Sequence, residues 1–228
     1  MIFFLQDDIS DKVDQILKRL NKLMDGNVSA QMKDHGLEYK LNYGASLLWL
    51  RNLSEKYADN NELANRLWHR QIRETMLMAT FIADAQTISK LRIEEWGDSL
   101  QHDEIAEQLG NNLLFKLNDL DSLAQDWLES ESEHKQAAIW VGLSVFVQRG
   151  GIIDDVFVNK YLQAIHDSFN QTSSFILRVQ GRFLRSVCRK NDEFLNKVEA
   201  FVYKISEHPN SAWLVEDVKT EIKFLRGC

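Results

Sequence analysis

Four arginines near residue 180 are spaced so that their side chains share one face of a helix. Arg178, Arg182, Arg185 and Arg189 lie four, three and four residues apart, and Lys190 follows directly. Side chains at these intervals lie above one another along an α-helix. We call these five residues the basic stripe. Such a concentration of positive charge is unusual in a chain that is acidic overall.

The remainder of the chain is acidic, which limits what the basic stripe can mean. Residues 172–190 contain five of the 27 Lys and Arg residues and none of the 34 Asp and Glu residues, and the net charge is −7. This charge argues against a protein that coats DNA with its whole surface, because such binding depends on phosphate neutralisation. It leaves room for a local basic cleft. On the residues alone we favour a solvated face that acids of neighbouring helices neutralise.

The histidines and cysteines give no pattern of a metal or cofactor site. The histidines are His35, His69, His102, His134, His166 and His208. No two of them stand at the spacing of metal ligands, and no glycine-rich phosphate loop is present, so we predict no metal and no cofactor. Cys188 lies inside the basic stripe, where Arg189 and Lys190 would favour its thiolate if it were exposed. We favour a partly buried, inert thiol.

Length and composition predict an ordinary globular protein of the cytoplasm. With 228 residues, 44% of them hydrophobic, the chain can bury a sizeable core. Its N-terminal sequence, MIFFLQDD, lacks the basic segment of a secretion signal, and no apolar run approaches the roughly 20 residues that span a bilayer. Two cysteines are too few for a disulfide framework. We therefore expect no association with a membrane.

The hydrophobic periodicity is helical throughout, and no stretch alternates in the manner of a strand, so the chain is predicted to be all-α. The predicted helices span residues 10–25, 28–34, 45–58, 61–83, 87–99, 103–117, 119–129, 131–149, 153–169, 173–190, 192–206 and 210–226. A single proline, Pro209, and the lack of low-complexity sequence leave no evident linker. We predict one domain over residues 1–228.

Local signals predict where helices begin, where they end and which side chains they bury. The predicted N-caps are Asn61, Asn191 and Ser130, the last in a capping box with Glu133. The predicted helix stops are Gly26, Gly36 and the Gly150-Gly151 pair. The tryptophans expected to pack in the core are Trp49, Trp68, Trp127 and Trp140.

Two predicted helices are apolar on nearly every side, so each must lie inside a layer of other helices. They contain residues 76–82 and 139–147. Short helices whose pairs recur about every 35 to 40 residues predict an α-solenoid of the HEAT or armadillo type. A compact helical bundle is the alternative.

A series of short motifs gives the chain a family resemblance. The motifs are Tyr43-Gly44-Ala45, Leu50-Arg51, Glu62-Leu63-Ala64, Leu67-Trp68, Arg73-Glu74, residues 108–113 (QLGNNL) and residues 184–191 (LRSVCRKN). In these motifs the chain resembles the DNA alkylation repair family, the AlkD-like DNA glycosylases, over about residues 30–200. The resemblance implies a right-handed α-α superhelix of HEAT-like repeats whose concave, basic face holds duplex DNA. It also implies that the basic stripe lies on this concave face and binds phosphates.

The resemblance further implies where a catalytic site would lie. Glycosylases of this family excise purines alkylated at N3 or N7, using an Asp that stabilises the cationic sugar and two Trp side chains that cradle the cationic base. Matching the motifs places Glu107 at the carboxylate position, Asp103 at the first Trp position and Arg182 at the second. The family's basic residue falls near Lys135-Gln136. The aromatic cradle is therefore missing.

These three positions allow two interpretations. In one, Glu107 is a catalytic carboxylate in a divergent branch that acts on another lesion or DNA structure. In the other, Asp103, Glu107 and Arg182 form an ion-pair cluster between helices and the excision chemistry is lost, which we favour because facing charges more often serve structure. The sequence thus predicts a DNA alkylation repair-like protein that binds duplex DNA through the basic stripe. A helical-repeat scaffold for a protein or peptide partner is the alternative.

Overall fold

Every regular element in the described part of the chain is helical, as the periodicity predicted. The computed structural model describes residues 8–169 and 173–227. The α-helices are α1 (Asp8–Lys22), α2 (Gly26–Asp34), α3 (Leu47–Ser54), α4 (Asn61–Trp68), α5 (Arg73–Ile82), α6 (Lys90–Asp98), α7 (Asp103–Asn112), α8 (Leu120–Leu128), α9 (Glu133–Gln148), α10 (Asp155–Ser168), α11 (Ser174–Cys188), α12 (Asp192–Ile205) and α13 (Ala212–Arg226). Residues 1–7, which open the segment compared with a secretion signal, and Cys228 lie outside the described residues.

The helices group into two compact units along the chain. The first comprises residues 1–113 and contains α1 to α7, and the second comprises residues 114–228 and contains α8 to α13. One domain spanning both units stays a prediction. Across the described ranges, no helix has both the length and the apolar character needed to cross a membrane.

The core of the first unit forms around α5, one of the two helices predicted to be apolar on nearly every side. All its residues except Phe81 are buried, and it packs against α3, α4 and α7. Beside it, the rings of Trp68 and Trp96 stack with their centroids 4.4 Å apart. Each indole nitrogen donates a hydrogen bond, from Trp68 to Ser99 at 2.7 Å and from Trp96 to Asn65 at 3.1 Å. These bonds satisfy the polar atoms that burial of two indoles brings into the core.

The core of the second unit forms around α9, the other all-round apolar helix, which packs against α8 and α11. An aromatic cluster lies at this centre, where the rings of Tyr161 and Phe183 both approach Trp140, with centroids 5.9 and 5.4 Å away. The Tyr161 hydroxyl donates to Asp121 at 2.7 Å, and burial together with this acid raises the pKa of Tyr161. The second unit therefore has a core of its own in which α11 is fixed.

The predicted helix 61–83 is wrong, because the chain turns within it. Helix α4 ends at Trp68 and α5 begins at Arg73. Between them Gln71 has a φ of +53° and Ile72 is extended, so the helical path is interrupted. The backbone N–H of Arg73 donates to the carbonyl of Leu41, 3.1 Å away. This contact with a distant loop fixes where the second helix starts.

The cap predictions have mixed outcomes. Asn191 caps α12 as predicted, accepting from the Phe194 N–H at 2.8 Å. Two caps are wrong by one or two residues, since Asn60 rather than Asn61 caps α4 and Ser132 rather than Ser130 caps α9. Asn61 instead holds the loop at Asp84, and the Ser130 hydroxyl accepts from the Ser132 N–H.

Among the predicted stops, Gly36 and Gly150 follow α2 and α9 with positive φ and are confirmed, whereas Gly26 is the first residue of α2. Among the tryptophans, Trp68, Trp127 and Trp140 are buried as predicted. The prediction for Trp49 is wrong, because α3 turns this side chain outwards and leaves it 56% exposed.

Candidate nucleic-acid interface

Helix α11 carries the first three residues of the basic stripe, while Arg189 is its C-cap and Lys190 follows. Ser173 caps the helix by accepting from the Ile176 N–H at 3.2 Å. The apolar face is buried and packs against α9; it comprises Phe175, Ile176, Val179, Phe183, Leu184 and Val187. Burial of this face fixes the rotation of α11 about its axis, so the basic residues are held on the remaining surface.

The five stripe residues differ in how far their side chains are exposed to solvent. Arg178 and Arg189 are exposed, while Arg182, Arg185 and Lys190 are half-buried. At the N-terminal end, the Arg178 guanidinium lies 5.1 Å from the centre of the Phe175 ring. An aromatic face beneath an arginine attracts and orients the cation while its outer edge stays accessible.

At the C-terminal end of the stripe, two acids of α13 pair with two of the arginines. Arg185 forms an ion pair with Asp217. Arg189 holds both oxygens of Glu221, from Nε to Oε1 at 2.6 Å and from Nη2 to Oε2 at 3.0 Å. Burial raises the pKa of Asp217, and Arg185 opposes that rise. The neutralisation favoured from the residues alone thus applies to Arg185 and Arg189, and the assignment of the stripe to DNA stays a prediction.

The carboxylates predicted for catalysis lie on α7, in the first unit. Asp103 is exposed and Glu107, one turn later, is half-buried. Arg182 lies on α11, in the second unit. Each of the three residues has an interaction partner. Their meeting in one cluster, and a catalytic role for Glu107, stay predictions.

A buried ionic cluster next to these carboxylates escaped the sequence analysis. Arg73 is only 2% exposed and binds Glu104 of α7 with two hydrogen bonds, Nε to Oε2 at 2.7 Å and Nη2 to Oε1 at 2.6 Å. Its Nη1 donates to Glu74 at 2.9 Å and to the Ala45 carbonyl at 3.0 Å. The Tyr39 hydroxyl also donates to Glu104, at 2.8 Å. The sequence does show one sign of this cluster, because the charged residues Arg73 and Glu74 stand at the start of an otherwise apolar helix.

The cluster explains two of the motifs that carry the family resemblance. Glu74 accepts hydrogen bonds from the backbone N–H groups of Tyr43 and Ala45, at 3.0 and 3.2 Å. Gly44 between them has a φ of +74°, and a β-carbon there would lie 2.4 Å from the Asp25 carbonyl oxygen. The Tyr43-Gly44-Ala45 and Arg73-Glu74 motifs are therefore parts of one structural contact. They fix the loop before α3 on α5 and hold α7, which carries Asp103 and Glu107.

The two other long motifs are also anchored by hydrogen bonds. In QLGNNL, the Asn112 amide donates to Thr80 at 3.0 Å and to Gln108 at 3.1 Å. In LRSVCRKN, the Ser186 hydroxyl accepts from Gln148 at 2.8 Å, which links α11 to α9. Cys188 in the same motif is 3% exposed, and burial raises its pKa to about 12. The predicted burial is confirmed, and the inertness of the thiol stays a prediction, which the raised pKa supports because a protonated thiol is a poor nucleophile.

No group of three or more His, Cys, Asp or Glu side chains within residues 8–169 and 173–227 is arranged to hold a metal ion. Among the polar groups described above, the basic stripe presents exposed cations, at Arg178 and Arg189.

Comparison with known proteins assigns the fold and the family. A solved structure of a protein described as one of a new family related to the HEAT-like repeat DNA glycosylases, with affinity for branched DNA structures, is similar over 94% of both chains, with a TM-score of 0.79 and 16% identity. The chain therefore has the all-α fold of the HEAT-like repeat proteins. The model of the DNA alkylation repair enzyme family matches residues 16–216, and the chain belongs to this family. No curated protein matches it.

Proposed function

We propose that this protein binds DNA through the basic stripe and does not excise alkylated bases. The observation that carries the proposal is the stripe itself: residues 172–190 contain five basic side chains and no acidic one, and three of the five lie on α11, whose opposite face is buried. Membership of the DNA alkylation repair enzyme family supports DNA as the ligand. Arginines one turn apart on a fixed helix match the geometry of successive phosphate contacts.

The preferred ligand is branched DNA, such as a four-way junction. The similar solved structure belongs to a family with affinity for branched DNA. In a junction the backbones of more than one duplex converge, so the phosphate density near the branch exceeds that of a single duplex. A short surface with few cations, in a chain of net charge −7, gains most from such a ligand because its affinity depends on the phosphates within reach.

The absence of base excision follows from the residues at the positions matched to the family's site. Aromatic faces stabilise a cationic base, but Asp103 and Arg182 occupy the positions matched to the two tryptophans. An arginine repels a purine that already carries positive charge. Glu107 retains a carboxylate without the surrounding surface that would hold the base beside it.

Fluorescence anisotropy with a labelled four-way junction and a duplex of equal length tests the binding proposal. Arg178→Gln removes an exposed stripe charge, and Lys18→Gln on α1 is the control for charge alone. We expect Arg178→Gln to weaken binding of both DNAs several-fold, and the control to leave binding near that of the wild type. DNA affinity that is absent, or equal in Arg178→Gln and wild type, contradicts the proposal and favours the protein-binding scaffold.

A base-release assay tests the second half of the proposal. The wild type and Glu107→Gln are incubated with duplex DNA that contains 7-methylguanine or 3-methyladenine, and the liberated base is measured. We expect no release above the spontaneous rate from either protein, in samples that bind the junction. Release by the wild type that Glu107→Gln abolishes would show that the carboxylate is catalytic.

A further inference from the structure

Helix α13 presents two acids to the basic stripe in matching register. Asp217 and Glu221 are four residues apart, as are their partners Arg185 and Arg189, and each pair joins residues 32 positions apart in the chain. Because α11 and α13 pack against each other, the two rows of charge lie side by side along the helices. The same arginine–acid contact therefore occurs twice between α11 and α13, one helical turn apart.

The pairing uses the atoms with which an arginine binds phosphate. Arg189 directs Nε and Nη2 at the two oxygens of Glu221, the same fork that binds two phosphate oxygens. The Glu221 side chain is 10% exposed, whereas that of Arg189 is 59% exposed. The carboxylate is thus fixed by helix packing, while the arginine approaches it from the solvent side.

Asp217 lies against the backbone of α11 itself. Its Oδ2 is 2.5 Å from the place that a β-carbon of residue 181 would occupy, so the glycine at this position admits the carboxylate to the stripe. Arg182 follows Gly181 directly, and Arg185 lies one helical turn further on. The negative charge of Asp217 therefore lies among the basic residues of the stripe. A phosphate that approaches this part of the stripe meets a carboxylate at close range.

We propose that Asp217 and Glu221 determine the DNA preference of this protein by competing with phosphate for Arg185 and Arg189. This inference rests on the proposed function, and it identifies the residues that make the protein select branched DNA over duplex DNA. A single duplex offers the phosphates of one double helix, which compete with the carboxylates and meet their repulsion. A junction brings together phosphates from more than one duplex, so a larger number of phosphates reaches the stripe and offsets that repulsion. The two acids thus penalise duplex DNA more than branched DNA.

The double substitution Asp217→Asn and Glu221→Gln tests this, because it keeps side-chain shape and removes both negative charges. The matched control is Glu207→Gln with Glu216→Gln, two exposed acids of the same unit that form no ion pair with a described residue. Dissociation constants are measured for a four-way junction and a duplex of equal length over a range of salt concentrations. Circular dichroism checks that each variant is folded.

We expect the double variant to bind the duplex about tenfold more tightly and the junction with a smaller gain, so that the preference for the junction falls. The slope of log K against log salt for the duplex steepens by about 1.8, the value for two added phosphate contacts. The control changes both affinities equally and leaves the preference unchanged. If the double variant does not fold, Asp217→Asn is measured alone and is expected to give half the change in slope.

Failure of this inference and failure of the proposed function would give different results. Duplex binding that is unchanged relative to the control, or weaker, contradicts the inference, and weaker binding would show that the acids orient the arginines for phosphate. In both cases the wild type still binds the junction, so the proposed function stands. If neither the wild type nor any folded variant binds DNA, the proposed function is wrong and the inference with it.

Discussion

At the scale of single residues, Arg73 shows how this chain buries charge. A guanidinium removed from water is stable only if its N–H groups are satisfied and its charge is balanced. Here Nε, Nη1 and Nη2 all donate, to Glu104, Glu74 and the Ala45 carbonyl. Although burial opposes it, the hydrogen bonds to Glu104 help to raise the pKa of Arg73, so the cation is maintained.

Glu74→Gln is expected to destabilise the protein by about 3 to 5 kcal/mol, as the loss of one partner from a buried ion pair does. Both oxygens of Glu74 accept backbone N–H groups, so an amide NH2 at either position would face another donor. Urea denaturation measures the loss. Glu62→Gln, in an exposed pair with Arg66, is the control and should cost less than about 1 kcal/mol. Equal costs for the two substitutions would mean that the buried cluster is not a stabilising contact.

Gly44→Ala and Gly36→Ala separate backbone strain from steric conflict. Both glycines have positive φ, +74° and +83°, and a β-carbon at Gly36 would meet no atom within 4 Å. Gly36→Ala should therefore cost about 1 to 2 kcal/mol, from strain alone. Gly44→Ala should cost about 1 to 3 kcal/mol more, because its β-carbon would strike the Asp25 carbonyl. Similar values for both in urea denaturation would contradict the close approach at Gly44.

At the scale of elements, the sequence predicts helices where the signal is local. The continuous apolar run of α9, the apolar periodicity of α11 and the cap at Asn191 are local in the sequence, so they are visible without the fold. The break between α4 and α5 depends on the hydrogen bond from Arg73 to Leu41, 32 residues earlier, and is not visible locally. For the same reason the sequence identifies the arginines of the stripe but not their partners Asp217 and Glu221.

Asn191→Ala is expected to destabilise the second unit by about 1 kcal/mol, the usual effect of losing an N-cap. Asn191 accepts from the Phe194 N–H at the start of α12, and alanine leaves that donor unpaired. Asn191→Asp keeps an accepting oxygen and should leave stability nearly unchanged. Thermal unfolding of the three proteins measures both effects. A loss with aspartate as large as that with alanine would show that the side-chain oxygen is not the stabilising group.

At the scale of the whole molecule, the chain combines an acidic composition with the basic stripe. A net charge of −7 disfavours binding of DNA over the whole surface, so we expect DNA affinity to come from a local basic surface. Such binding should depend strongly on ionic strength and on a small number of cations. The central claim, that the basic stripe is this surface, is therefore a claim about the number of phosphate contacts.

The salt dependence of junction binding tests that claim most directly. The slope of log K against log salt is measured for the wild type, for Arg178→Gln with Lys190→Gln, and for Lys18→Gln with Lys22→Gln on α1 as a control of equal charge. We predict that the stripe variant lowers the magnitude of the slope by about 1.8, or 0.9 for each lost phosphate contact, and that the control keeps the wild-type slope. A stripe variant with the slope of the wild type would contradict the account.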